Sequence, residues 1–199
     1  MNYLAHLFLA KDTPESLIGN LLGDFAKGSV KFLYTEEIRK GIELHRSVDT
    51  YTDSHPIFRA SKRLIAQPRR KFSGILVDVF YDHFLARHWS EYSDVALEAF
   101  SSHVYKILVD NQAILPTSLL QIIPMMKAYD LLASYQEIGG IDNALRRIAT
   151  RIRWQNNLAD GIEDLIANYQ QLEADFCAFF PELIDYAQTY CYQADRPLA

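Results

Sequence analysis

FSGILVDVFYDHFLARHW, residues 72–89, decides how the rest of the chain is read. It is too apolar for a surface segment, yet it carries Asp78, Asp82, His83 and His88. As a helix it stacks Asp78 and Asp82 on one face, with their Cβ atoms roughly 5–6 Å apart. Ile75, Leu76, Val77, Val79, Phe80, Tyr81, Phe84 and Leu85 surround them, so the acids are drawn inward with the helix. Two bare carboxylates repel, and a buried ion costs several kcal/mol unless something pairs with it. The stretch therefore predicts a core helix whose acids meet a divalent cation or an arginine.

Outward from this helix the pattern stays helical. There is no fixed-period repeat, no Gly-x-Gly-x-x-Gly or P-loop, and no strand-like alternation. Asn2 to Ala10 reads as a short apolar helix containing His6, and a second helix begins near Glu15 and leads into GNLLGDF with Asp24. Thr35 caps a helix running to His55, with Glu36 and Glu37 in its first turn and Pro56 ending it. Ser93 and Asp94 open a helix to about Leu108, and Pro116 and Pro124 punctuate two short pieces. Gly139-Gly140 reads as a turn before an Arg-rich helix from Asp142 with Arg146, Arg147, Arg151 and Arg153. An amphipathic segment follows from Ile162 to Phe180, separated by Pro181 from a last helix ending near Tyr192. The expectation is an all-α fold of about seven to nine helices in one domain, 1–199.

Composition narrows the function classes. A hydrophobic share of 49% with 23% charged residues belongs to an ordinary globular protein and excludes disorder. The formal net charge of −5 argues against general nucleic-acid binding. The apolar run in MNYLAHLFLAKD is far shorter than the roughly 20 residues that span a bilayer, so no membrane role is expected. Cys177 and Cys191 are too few for a disulfide scaffold and fit a reducing cytoplasm. Oligomeric state is not encoded in any of these features.

Polar residues concentrate in four places: His6, Asp24, the run HRSVDTYTD (45–53), and Asp78 with Asp82 and His83. His45, Asp49 and Asp53 are successive four-residue steps and form one ridge on a helix, able to face Asp78 and Asp82. Imidazoles and carboxylates on facing helices make a site for Mn²⁺, Mg²⁺, Fe²⁺ or Zn²⁺, and the surplus of oxygen ligands favours Mn²⁺ or Mg²⁺. Such an ion makes phosphodiester hydrolysis feasible, with Arg46 to clamp a phosphate and His83 to move a proton. Each feature also has a plain reading: His6 alone is a core histidine, and Asp49 and Asp53 pair with nearby arginine or lysine. A basic cluster of Arg59, Lys62, Arg63, Arg69, Arg70 and Lys71 stands out in an acidic chain and can steer an acidic protein partner.

The stretches MNYLAHLFLA, GNLLGDF, GIELHRSVDTYTDSHP and VDVFYDHFLARHWSEYS, in this order, with LEADFCAFFPEL near the end, resemble the acyl carrier protein phosphodiesterase family, a divergent branch of the HD-type metal-dependent phosphohydrolases. The resemblance implies an HD-like helical domain that removes 4′-phosphopantetheine from holo acyl carrier protein with Mn²⁺. By motif it implies Asp24, His45, Asp78 and Asp82 as metal residues, with His6 as a further candidate. Arg46 stands where ordinary HD enzymes have the aspartate of the His-Asp pair, a place left to Asp49 or Asp24. It also implies that Arg59, Lys62, Arg63, Arg69 and Arg70 dock the acidic carrier. Two other readings remain open: a metal-dependent phosphohydrolase of nucleotides or other small phosphoesters, and a non-catalytic helical module that binds an acidic protein.

Overall fold

A computed structural model describes residues 1–26, 33–152 and 154–194, so Arg153 lies outside the described residues. The described residues hold twelve α-helices, several of one turn, and no strand. The helices are α1 (Tyr3–Leu9), α2 (Pro14–Leu22), α3 (Glu36–Ser54), α4 (Pro56–Leu64), α5 (Ser73–Arg87), α6 (Trp89–Tyr92), α7 (Leu97–Asp110), α8 (Thr117–Leu120), α9 (Ile123–Ala128), α10 (Ile138–Arg151), α11 (Ile162–Ala167) and α12 (Tyr169–Ala194). The all-α expectation holds. The excess over seven to nine comes from single-turn pieces that periodicity cannot register.

Local chemistry sets the first helices. Thr13 accepts from Ser16 N–H to start α2, with Pro14 at its first position, and Thr35 accepts from Ile38 N–H to start α3. Pro56 both stops α3 and opens α4, where His55 Nδ1 accepts from Ile57 N–H. Helix α5 is buried over most of its surface, with Leu76, Val77, Val79, Phe80, Tyr81, Phe84 and Leu85 enclosed, while a strip at Ile75 and Asp78 and the Arg87 end reach the surface. It becomes the central post, packed by α1, α4, α10 and α12 around one continuous core.

Helices α2 and α3 cross too closely for a side chain at Gly19. A Cβ on Gly19 would lie 2.3 Å from Ile38 O and 2.9 Å from Gly41 Cα, so only hydrogen fits at that crossing. The close crossing brings the end of α2 beside His45 and Asp49 of α3.

Three expectations are corrected. Gly139 and Gly140 lie inside α10, which starts at Ile138 rather than Asp142. They occupy its first turn, where N–H groups lack intrahelical partners in any case, and a Cβ on Gly140 would lie 1.9 Å from Ser134 O. Pro181 does not divide the last helix but sits within α12. An interior proline costs about 3 kcal/mol, while each fully buried aromatic or leucine returns about 1.5–3 kcal/mol. Phe176, Phe179, Phe180 and Leu183 flank Pro181 fully buried, so packing outweighs the break. The break falls instead at Asn168, between α11 and α12.

The glycine pair yields a paired test. A Cβ on Gly139 meets nothing within 4 Å, so Gly139→Ala is expected to stabilise the protein by about 0.5–1 kcal/mol. Gly140→Ala is expected to destabilise it by about 1–3 kcal/mol through the clash with Ser134. Urea unfolding of both variants checks this, and equal midpoints would refute the packing argument. Among the described residues no helix is long and apolar enough to cross a membrane.

Candidate metal centre

Helix α1 contributes His6, and α3 contributes His45 and Asp49 one turn apart. Gly23, just past α2, makes room for the His45 ring, since a Cβ there would lie 2.1 Å from His45 Cγ. The two imidazoles stack with centroids 3.6 Å apart and planes at 18°. His6 Nε2–H donates to Asp49 Oδ1 at 3.1 Å, and His45 Nε2 lies 3.2 Å from Asp49 Oδ2. One ligating atom from each of His6, His45 and Asp49 lies within 4.8 Å of the others.

Burial keeps His6 neutral, its pKa pushed down to about 3. Burial favours the protonated form of Asp49, but hydrogen bonds from His45 and His6 override it and hold the carboxyl well below the usual range. Asp24 stands at the edge, its Oδ1 3.7 Å from His45 Nε2. The Met1 ammonium lies 2.8 Å from Asp78 Oδ1 and 3.3 Å from Asp49 Oδ1. Burial opposes its charge, yet Asp78 and Asp49 outweigh burial and raise its pKa to about 10. The cation beside Asp78 is thus the chain's own amino group, which helical periodicity could not foresee.

Asp82 does something different from its neighbour one turn earlier. Fully buried, it accepts from Leu4 N–H at 2.8 Å and Ala5 N–H at 3.1 Å. It thereby caps α1 from α5, a role that the N-cap residue Asn2 leaves open because its side chain makes no cap bond. Burial pushes its pKa up to about 7, against the two backbone bonds.

His83 is buried away from this group's contacts. Its Nδ1–H donates to Tyr135 O at 2.7 Å and its Nε2 accepts from Tyr169 OH at 2.9 Å, while burial lowers its pKa and keeps it neutral. His88 bridges Glu91 and Glu173. Arg46 donates to Ala26 O at 3.1 Å, and exposed Asp53 pairs with Lys62 at 3.2 Å.

The basic cluster divides. Arg59, Arg63 and Arg70 are exposed and Lys62 is half-buried. Arg69 is only 8% exposed and grips Asp164 with two bonds, Nε to Oδ2 at 2.7 Å and Nη2 to Oδ1 at 3.1 Å. Glu163 adds a contact at 3.1 Å. Arg69 is therefore corrected from a docking residue to an interior brace: a guanidinium so enclosed has no face left for a partner.

A cleft of about 280 Å³ adjoins the cluster and is lined by Tyr3, Asp24, Phe25, Asp78, Ile148 and Arg151, among others. Arg151 Nη1–H donates to Tyr3 OH at 3.3 Å. The sequence reading placed Arg151 only on an Arg-rich helix, although the three-residue spacing of Ile148 and Arg151 puts them on one face.

The donor set fits a divalent cation. Asp24, Asp49 and Asp78 gather near one ammonium and two imidazoles, one of them held neutral, which leaves a local surplus of negative charge. Nitrogen and carboxylate donors in this mixture suit Mn²⁺, Fe²⁺ or Zn²⁺.

Comparison with known proteins then gives a consistent result. A family model described as acyl carrier protein phosphodiesterase matches residues 1–183. The acyl carrier protein phosphodiesterase of Serratia proteamaculans is 34% identical over 189 residues, covering 94% of this chain and 98% of that protein. The protein of the same name from Pectobacterium atrosepticum is 34% identical over 190 residues, covering 95% and 98%. No solved structure matches the chain.

Proposed function

Because the chain belongs to the acyl carrier protein phosphodiesterase family, we propose that it hydrolyses the phosphodiester joining 4′-phosphopantetheine to a serine of holo acyl carrier protein. The products are the apo carrier and free 4′-phosphopantetheine. The observation that carries this reading is the His6, His45 and Asp49 group beside an acid-lined cleft, in a chain aligned along nearly the whole length of its relatives.

His6, His45 and Asp49 would hold the metal ion, Mn²⁺ first, with Mg²⁺, Fe²⁺ or Zn²⁺ as substitutes. When bound, it supplies polarisation of a phosphoryl oxygen and a lowered pKa for water. With its proton on Nδ1, which has no hydrogen-bond partner here, neutral His6 would offer the Nε2 lone pair, and ionised Asp49 would offer charge. Burial raises the proton affinity of Asp24 and Asp78, which suits them to take a proton from attacking water in the cleft. Asp82 positions α1, and with it His6. His83 braces α5 against Tyr135 and Tyr169 rather than moving a proton, and Arg46 stays with Ala26. We further read the enzyme as cytoplasmic, in keeping with only two cysteines in the chain.

The test is to incubate holo acyl carrier protein with this protein and Mn²⁺ and weigh the carrier intact. Loss of the whole prosthetic arm is the expected result. An unchanged mass overturns the proposal, and turnover of free nucleotides instead would move the reading to a small-phosphoester hydrolase.

The acidic carrier would dock on Arg59, Lys62, Arg63 and Arg70. The double variant Arg59→Glu, Arg63→Glu is expected to raise KM about tenfold at low salt and to flatten its salt dependence, with kcat kept. A KM equal to that of the parent rejects this face.

A further inference from the structure

The acid-lined cleft poses a problem for its own substrate. A phosphodiester is anionic, and Asp24 and Asp78 both line the cleft and repel it. A cation must meet the phosphate; the Met1 ammonium, which also lines the cleft, is already engaged by Asp78 and Asp49, and Arg151 is the sole lysine or arginine among the described residues lining it. None of its contacts among the described residues reaches a carboxylate; its side-chain bond goes to Tyr3 OH at 3.3 Å.

We propose that Arg151 and Tyr3 form the phosphate-recognition pair of this cleft, with Phe25 and Ile148 as the apolar wall for the carbon chain of the attached arm. The inference rests on the phosphodiesterase reading and names the groups that recognise its substrate.

The chemistry of both residues suits the task. A guanidinium offers a planar fork of donors that a phosphate accepts in pairs, and it stays charged at any working pH. The Tyr3 phenol accepts from Arg151, which aims the fork and leaves the phenolic proton for a phosphate oxygen. Burial raises the Tyr3 pKa, so the phenol remains a donor. Tyr3 stacks on Phe25 with ring centroids 6.2 Å apart, which fixes the ring from the other side. Arg46, the clamp expected from sequence, is absent from the lining of the cleft.

Calorimetric titration with 4′-phosphopantetheine and with pantetheine, in Mn²⁺, tests the pair. Arg151→Gln is expected to weaken phosphopantetheine binding roughly 10- to 100-fold, the range for losing hydrogen bonds to a charged group, and to leave pantetheine binding unchanged. Tyr3→Phe is expected to show a smaller loss of the same selectivity. Arg151→Met, which keeps the stem of the side chain, serves as the second variant if circular dichroism shows Arg151→Gln unfolded. Phosphopantetheine affinity equal to that of the parent in a folded variant overturns the inference, as does an equal loss for both ligands. If the parent protein cleaves holo carrier while the folded Arg151 variant binds phosphopantetheine undiminished, this inference alone fails. If the parent leaves the carrier intact yet shows the Arg151-dependent preference for the phosphorylated arm, the hydrolase reading alone fails.

Discussion

Asp49→Asn is expected to abolish Mn²⁺ binding and to lower kcat/KM for holo carrier about a thousandfold, since a bound ion contributes several kcal/mol of transition-state stabilisation. Asp49 is where the cluster converges: Oδ1 meets His6 and the Met1 ammonium, and Oδ2 meets His45. Asparagine keeps the volume but removes the charge that these partners share. The fold should survive, because Asp49 is 44% exposed and Asp78 still pairs with Met1. Equilibrium dialysis with Mn²⁺ and intact mass of the carrier provide the readouts. A variant that keeps both metal and turnover would remove Asp49 from the site.

Asp82→Ala acts on stability before it acts on chemistry. It strips the acceptors from Leu4 and Ala5 N–H, two buried donors that each cost about 1–3 kcal/mol when left unpaired. A loss of about 4 kcal/mol, or roughly 10 °C in Tm for a chain of this size, is expected. Asp82→Asn keeps one acceptor and should lose less. Both variants also differ from the parent in pH dependence. The folded pKa of about 7 lies above the ordinary carboxylate value, so the stability linked to this proton is complete below roughly pH 4 and is lost as pH rises towards 7. Parent protein should lose that component between pH 4 and 7, and Asp82→Asn should not. Thermal melts across this range decide the matter. An Asp82→Ala protein with the parent Tm but no Mn²⁺ binding would make Asp82 a ligand instead of a cap.

These expectations separate two residues that look alike in the sequence. Asp78 and Asp82 share a face of α5 and a strongly apolar setting, and periodicity assigns both to one site. In the fold, Asp78 meets an ammonium and borders the cleft, whereas Asp82 closes the end of α1. The i,i+4 pattern along α3 proved more informative, since His45 and Asp49 do converge, although Asp53 turns to Lys62. The basic cluster divides for a similar reason, with Arg69 closed in by Asp164 and Glu163 while Arg59 and Arg63 stay exposed.

The helical class, the burial of the 72–89 stretch, the cap at Thr35 and the helix break at Pro56 were legible in the residues alone. Those features depend on side-chain period, backbone stereochemistry and local hydrogen bonding, all of which act within a few residues. Long-range packing is what makes α12 run through Pro181, lets Gly23 seat His45, sets the Met1 charge beside Asp78, and brings Arg151 to the cleft from the far end of α10. Each of these depends on residues distant in the chain, fixed by the packing of whole helices, and no local pattern specifies where one helix meets another.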